Sequence, residues 1–288
     1  MSRGLARSDL DDKKGAIADY DQAIKLNPGL AEAYGNRGNA RSTLGDKKGA
    51  IADYDQVIKL NPGLAEAYDS RGRVRSALGD EKGAVADFDQ AIKLKPDFAN
   101  AYNSRGLARS ALDDKKGAIA DYDQAIKLKP DFALTHNNRG SVRSDLGDKK
   151  GAIADYDQAI QINNDWGDLG LWAAYNNRGI ARRELGDKKG AIADHDQAIK
   201  IKPNAEAYVG RGLVRNALDN YEGAAADFDQ AIKLNPNLAE AYTGRGAARS
   251  ALGDKKGAIA DLEKALELSP SEDPRRQDLI DILKKLQQ

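Results

Sequence analysis

Three sets of residues in this sequence could carry chemistry. A recurring segment contains acidic pairs such as Asp53 and Asp55, and carboxylate pairs can bind a metal or transfer a proton. Two histidines, His136 and His195, are candidates for a general base or a metal ligand. Arginines recur in pairs spaced by four residues, and rows of arginine can bind phosphate groups. What these residues can do depends on the elements that position them.

Those elements are short amphipathic helices. A segment close to GAIADYDQAIKL recurs along the chain, with its first glycine at Gly15, Gly49, Gly83, Gly117, Gly151, Gly190, Gly223 and Gly257. The intervals are 34 residues four times, then 39, 33 and 34. Within each copy, apolar residues recur at steps of three and four, which predicts two helices. Helices this short bury their apolar stripes only against neighbouring pairs, so the copies should stack.

Helical geometry argues against catalysis and metal binding. Residues two apart on a helix point about 200° apart, so Asp53 and Asp55 cannot share a metal or a proton. His136 and His195 stand where most other copies carry an aromatic residue, with no metal ligand at suitable spacing, which predicts packing. The chain has no cysteine and lacks the common nucleotide-binding and hydrolase motifs. We therefore expect no catalytic residue, metal site or cofactor.

The composition narrows the class of partner. The 288 residues carry 45 basic and 45 acidic side chains, and a nucleic-acid-binding face would not neutralise itself in this way. No apolar run approaches the roughly 20 residues of a membrane span, and no signal-peptide core is seen, so we expect a soluble, cytoplasmic protein. The arginine rows, such as Arg37 and Arg41, should pair with acidic residues of second helices. We expect these pairs to be partly exposed and worth about 0–1 kcal/mol each.

The chain resembles a tetratricopeptide repeat protein. That pattern has an aromatic residue at repeat position 4, Gly at 8, Ala at 20, an aromatic at 24, Ala at 27 and Pro at 32. The copy that begins at Ala31 supplies Tyr34, Gly38, Ala50, Tyr54, Val57 and Pro62. Position 8 is Gly and position 20 is Ala in all eight copies. The chain departs from the family at positions 7 and 11, where Arg replaces the usual Leu and Tyr.

The resemblance implies an all-α fold, a right-handed superhelical solenoid of antiparallel helix pairs with a C-terminal capping helix. We expect eight repeats, a truncated first one at 1–30 and then 31–64, 65–98, 99–132, 133–166, 172–204, 205–238 and 239–272. Residues 167–171 are an insertion, and 273–288 form the capping helix. Met1 aligns with repeat position 5. Either the chain is a fragment, or its uncapped first repeat is frayed or is completed by another molecule.

The resemblance also implies a non-catalytic scaffold that binds a peptide or protein segment in a concave groove. Positions 2, 5, 6, 9, 12 and 13 line that groove in the family. The predicted groove residues are Asn36, Ser70, Arg73, Asn103, Ser104, Leu107, Asn137, Asn138, Asn176, Asn177, Ile180 and Arg183. Asparagine both donates and accepts hydrogen bonds, so a row of asparagines can hold a peptide backbone. No lysine occurs at position 5, which disfavours an acidic chaperone tail as the ligand.

The insertion between the fifth and sixth repeats carries the two tryptophans. Trp166 aligns with a packing position, whereas Trp172 aligns with alanine and either contacts a partner or seals the gap that the insertion opens. Two alternative functions remain open at this point. One is a self-assembling module whose uncapped first repeat docks on another copy, giving a homo-oligomer. The other is an accessory array of a larger enzyme or signalling protein.

Overall fold

A computed structural model describes Gly4, Arg7, residues 12–164, Trp166 and residues 170–288. These residues contain sixteen α-helices and no strand, so the predicted all-α class is confirmed. The helices are α1 (Lys13–Leu26), α2 (Ala31–Thr43), α3 (Lys47–Leu60), α4 (Ala65–Ser76), α5 (Glu81–Leu94), α6 (Ala99–Ala111), α7 (Lys115–Leu128), α8 (Ala133–Asp145), α9 (Lys149–Ile162), α10 (Leu171–Glu184), α11 (Lys188–Ile201), α12 (Ala205–Asn216), α13 (Tyr221–Leu234), α14 (Ala239–Ala251), α15 (Lys255–Leu268) and α16 (Arg276–Gln287). The docking of another copy on the first repeat stays a prediction, because residues 1–11 of that repeat lie mostly outside the described part of the chain.

Each second helix of a pair begins in the same way. Before α3, the Asp46 carboxylate accepts a hydrogen bond from the Gly49 N–H at 2.9 Å, which satisfies a backbone donor that would otherwise lack a partner. The contact recurs before the other second helices, with Asn220 in place of aspartate before α13. The preceding Gly45 has φ 84°, a left-handed conformation that ends α2. This local chemistry fixes the turn inside each pair.

The helices pack in adjacent pairs around an alanine and a ring. Ala50 and Tyr54 of α3 form one buried cluster with Val74 of α4, the first helix of the next repeat. The ring lies so close to α2 that a Cβ on Gly38 would be 3.0 Å from Tyr54 Cε1. Glycine at position 8 is therefore a packing requirement of the pair.

The chain divides into two compact units, residues 1–142 and 143–288. The first unit holds α1 to α7 and most of α8. The second unit holds α9 to α16. At its end, Leu279 of α16 is buried against Leu262 and Ala265 of α15, so α16 covers the last repeat as a capping helix should.

Candidate functional site

The arginine rows form a framework of ion pairs. Arg37 Nε lies 3.0 Å from Asp53 Oδ2 and its Nη2 lies 2.5 Å from Asp53 Oδ1, which is bidentate binding. Its Nη1 lies 2.5 Å from Asp21 Oδ1 of the preceding repeat. Arg41 Nη1 lies 2.9 Å from the same Asp53 carboxylate. Each position-7 arginine of this kind joins two repeats, and the predicted pairing with second-helix acids is confirmed.

We call this arrangement the arginine clip, meaning a position-7 arginine bound to Asp at position 23 of its own repeat and to Asp at position 25 of the preceding one. The clip recurs around Arg71 and Arg105 in the first unit and around Arg178, Arg211 and Arg245 in the second. Arg178 keeps its bond to Asp157 even though the five-residue insertion separates the two repeats.

The clips are buried more deeply than the sequence suggested. The position-7 side chains are only 13–16% exposed, and their position-23 partners are buried. Part of the covering is aromatic, since Arg37 Cζ lies 5.4 Å from the centroid of the Tyr34 ring. The hydrogen bonds that Arg37 donates to the Asp53 carboxylate raise the pKa of Arg37 above its ordinary value. These arginines have a structural role, because their guanidinium groups are already bound to carboxylates.

The predicted groove asparagines divide into two sets. The position-5 residues Asn103, Asn137 and Asn176 are only 5%, 2% and 6% exposed. Asn103 Oδ1 accepts hydrogen bonds from Thr135 Oγ1 at 3.1 Å and from Asn138 Nδ2 at 3.2 Å. The amide of Asn103 thus links adjacent first helices. Position 5 lies beneath the surface because the next first helix packs over it.

The position-6 residues form the second set and remain at the surface. These half-buried side chains are Asn36, Ser70, Ser104, Asn138 and Asn177. Leu107 and Arg73, both at position 9, are exposed, whereas Ile180 and Arg183 are half-buried. The surface available to a partner is therefore carried by positions 6 and 9, and its binding role stays a prediction.

A depression between α2 and α4 brings Asn36, Ser70 and Arg73 together. It has two adjoining chambers of about 420 and 290 Å³, and Asn39, Tyr54 and Ser70 line both. The Tyr54 hydroxyl donates to Asn39 Oδ1 at 2.7 Å. Burial raises the pKa of Tyr54 to about 12, so the phenol stays neutral at physiological pH. The depression combines an apolar floor with fixed polar groups, the composition of a ligand site.

Some residues of this depression were not predicted from the sequence. Asn39, Tyr54 and Val57 line it, and so does Gly35, where an added Cβ would meet only Val57. A signal existed: Gly35 is the only glycine at position 5, where other copies carry a side chain. Predicting the open space from this glycine requires the distance between Gly35 and Val57, which depends on how the helices pack.

Both histidines are packing residues, as predicted. His195 is fully buried, and its Nδ1 lies 3.2 Å from Asn176 Oδ1. Burial, with the charges of Arg183 and Arg211 adding to it, lowers the pKa of His195 to about 4. His136 Nε2 lies 3.1 Å from the Pro130 carbonyl oxygen. The described residues contain no group of three acidic or histidine side chains that could hold a metal ion.

The two tryptophans differ in their environments. Trp166 is buried, which confirms its predicted packing role. Trp172 is half-buried at the start of α10, and Lys202 Nζ lies 5.6 Å from the centroid of its ring, a cation–π contact. That contact gives Trp172 a structural role within the second unit. Binding of a partner by Trp172 stays a prediction. Among the described helices, none has the length and apolar character that a membrane crossing needs.

Stacked helix pairs with a variable surface on their first helices define an α-helical repeat protein. Proteins of this class bind other proteins. The chain belongs to the tetratricopeptide repeat family. Family models described as "TPR repeat" match residues 72–113, 114–147 and 212–253. Models described as "Tetratricopeptide repeat" match residues 1–30, 31–64, 133–165, 173–204 and 239–272.

Solved structures with the same fold include three of note. MamA is 25% identical with a TM-score of 0.53, covering 56% of this chain and 95% of MamA. A tetratricopeptide repeat protein from Parabacteroides merdae is 17% identical with a TM-score of 0.66, covering 90% of this chain and 99% of that one. YrrB, described as a TPR protein with an unusual peptide-binding site, is 22% identical with a TM-score of 0.53, covering 69% and 97%. No curated protein sequence matches the chain.

Proposed function

We propose that this chain is a non-catalytic scaffold that holds a peptide or protein segment against the surface of its first helices. The observation that carries the proposal is the depression between α2 and α4, which combines apolar walls with amide and hydroxyl groups. It lies on the repeat positions that family resemblance assigns to ligands. The peptide-binding site named for YrrB supports the same class of ligand.

The arginine clips support a protein partner over a nucleic acid. Rows of arginine bind polyanions only when the guanidinium groups are accessible and unpaired. Here the position-7 arginines each bind two carboxylates, and position-11 residues such as Arg41 bind the same buried aspartate. We infer that DNA or RNA binding is not the activity of this surface.

A peptide selection tests the proposal. The purified chain is used to select from a phage-displayed library of random nine-residue peptides, and the selected peptides are synthesised and measured by fluorescence anisotropy. The variant Asn36→Ala should weaken binding of the selected peptides, because the Asn36 amide lines the depression. The matched control is Gln56→Ala, which removes an exposed amide from the second helix of the same repeat.

Two outcomes would contradict the proposal. One is the absence of any enriched peptide. The other is an equal loss of affinity in both variants, which would show that the amide of the first helix has no special role. A thermal melt of each variant separates loss of binding from loss of folding.

Self-assembly is the competing function, and sedimentation equilibrium distinguishes the two. A scaffold for peptides should keep the mass of one chain across a hundredfold range of protein concentration. A mass that rises with concentration, and falls back when a selected peptide is added, would indicate that copies of the chain occupy this surface themselves.

A further inference from the structure

The larger chamber of the depression exists because one side chain is missing. At position 5 the other repeats carry Asp69, Asn103, Asn137, Asn176, Val209 or Thr243, whereas α2 has Gly35. A Cβ built on Gly35 would meet only Val57 Cγ2, at 3.7 Å, an ordinary van der Waals distance. The space beyond it is open, so the chamber lies where a larger position-5 side chain would lie.

The walls of this chamber are mainly apolar. Ala31, Val57, Leu64 and Ala67 contribute carbon surface, and the volume of about 420 Å³ is ample for one aliphatic side chain. The surface that a ligand would remove from water here is largely hydrocarbon, so burial of an aliphatic group is favourable. The chamber has the character of an anchor pocket.

The smaller chamber differs in charge. Lys47 and Arg73 line it, whereas Glu32 and Glu66 line the larger one. Lys47 Nζ donates to the Ala77 carbonyl at 2.6 Å, which holds its charge in place. Glu66 is already paired with Lys95 at 2.9 Å, so the difference in charge between the chambers comes from Glu32 in the larger one and from Lys47 and Arg73 in the smaller one. A bound ligand would be oriented by that difference.

Arg73 has capacity for a second carboxylate. Its Nε lies 3.2 Å from Asp69 Oδ2, and 63% of its side chain is exposed. A guanidinium has five N–H donors, and a single contact uses few of them. Arg37 shows the same group binding two carboxylates in this protein, Asp53 and Asp21. The terminal nitrogens of Arg73 can bind an acidic side chain in the same way.

We propose that this depression recognises a peptide in which an aliphatic residue stands within two positions of an aspartate or glutamate. The aliphatic side chain fills the Gly35 chamber, and the carboxylate binds Arg73. Asn39, Tyr54 and Ser70 line both chambers, so the chambers adjoin and a short spacing between the two peptide residues is favoured. The inference rests on the proposed function and specifies the class of peptide that it binds.

The same phage library tests the specificity. Peptides enriched on the native chain should carry Leu, Ile, Val or Met within two positions of Asp or Glu. Gly35→Asn places in the chamber the residue that three other repeats carry, and should weaken these peptides about tenfold or more. Gly35→Ala is the matched control: it changes the helix similarly but adds one methyl group, so affinity should stay close to that of the native chain.

Variants of Arg73 test the preference for an acidic residue in the peptide. Arg73→Gln should weaken an acidic peptide about threefold, since the contact is largely exposed, and should leave unchanged the same peptide with Asn in place of Asp. Arg73→Lys keeps the charge and should retain the preference. Enriched peptides that bind Gly35→Asn as well as the native chain, or that carry Lys or Arg beside the aliphatic residue, would overturn this inference while leaving the proposed function standing. A library that yields no peptide overturns both.

Discussion

Gly35 in the first unit and Gly244 in the second lie at adjacent repeat positions of first helices, yet they have opposite effects on the surface. A Cβ on Gly35 would make an ordinary contact with Val57, and the space around it forms a chamber. A Cβ on Gly244 would overlap the ring of Phe228 from the preceding repeat. One glycine leaves a volume empty and the other lets a ring fill it. A missing side chain creates a site only where no neighbour takes its place.

The second unit repeats this filled arrangement one repeat earlier. A Cβ on Gly210 would overlap the ring of His195, and that ring is fully buried. Position 6 is thus closed by a ring in two successive repeats. In the first unit, position 6 carries Asn36 and Ser70, both half-buried at the rim of the depression. The repeats in the two units have the same pair of helices, but the space beside position 6 is filled by a ring at Gly210 and Gly244 and not at Asn36 or Ser70.

The largest expected effect is the loss of an arginine clip, which both units contain. Arg37→Met in the first unit and Arg245→Met in the second should each destabilise the protein by about 3 kcal/mol, because each leaves a buried aspartate without its bidentate partner. Urea unfolding measures the cost. Lys264→Met, which removes an ion pair with Glu267 that is exposed on both sides, is the control and should cost about 0–1 kcal/mol. Clearly unequal costs at Arg37 and Arg245 would show that the clips are not one framework.

The next effect tests the contrast between the glycines directly. Gly244→Ser should destabilise the second unit by about 2 kcal/mol, because Phe228 must move from a packed position. Gly35→Ser makes the same chemical change where space exists, and should alter stability by no more than about 0.5 kcal/mol. Thermal melts of the two variants decide the matter, and equal destabilisation would contradict the distinction.

A third effect depends on pH and on the ring of His195. The unfolded chain protonates this residue near its ordinary pKa of 6.5, whereas the folded chain does so only near 4. Stability is therefore full above about pH 6.5 and is lost as the pH falls toward 4. Between pH 7 and 5 the free energy of unfolding should fall by about 2 kcal/mol from this residue alone.

His195→Phe isolates that contribution, because Phe228 packs against Gly244 in an equivalent position. The fall in the free energy of unfolding between pH 7 and pH 5, measured by urea unfolding, should be about 2 kcal/mol smaller in the variant than in the native chain. A native chain with the same pH dependence as His195→Phe would mean that the ring is not held neutral by its burial.

The smallest effect is a gain in stability. Gly35→Ala should stabilise the protein by about 0.5–1 kcal/mol, because glycine inside a helix is entropically unfavourable and the new methyl group meets only Val57 at contact distance. Differential scanning calorimetry would detect the rise in the melting temperature. A fall would show that the space around Gly35 is smaller than its geometry indicates.

The repeat pattern predicted the helix pairs, the packing role of both histidines and the pairing of arginines with second-helix acids. These features depend on local periodicity and on charges that recur in every copy. The depth of the clips was underestimated, because the exposure of Arg37 depends on the cover that Tyr34 and the neighbouring repeat supply together. Periodicity places a residue on a helix face but does not show how far neighbouring side chains cover that face.

The candidate site was only partly accessible to sequence reasoning. Asn36 and Ser70 were predicted to line the groove, and both line the depression between α2 and α4. Asn103 was assigned to the same wall, but lies under the adjacent first helix, where it accepts hydrogen bonds from Thr135 and Asn138. One step along a helix turns a side chain by about 100°, so positions 5 and 6 differ in exposure for reasons that only the packing of neighbouring helices decides.

The clip around Arg178 has a consequence for how such a gene can change. Asp157 and Arg178 are 21 residues apart, whereas the corresponding pair Asp229 and Arg245 is 16 apart and Asp196 and Arg211 only 15. Their bond lengths are nearly the same. Insertions and deletions between repeats are thus absorbed by the connecting chain without shifting the ion pairs. A duplicated 34-residue unit would bring its own half of each clip, and a foreign peptide grafted into such a connection should leave the neighbouring repeats in register.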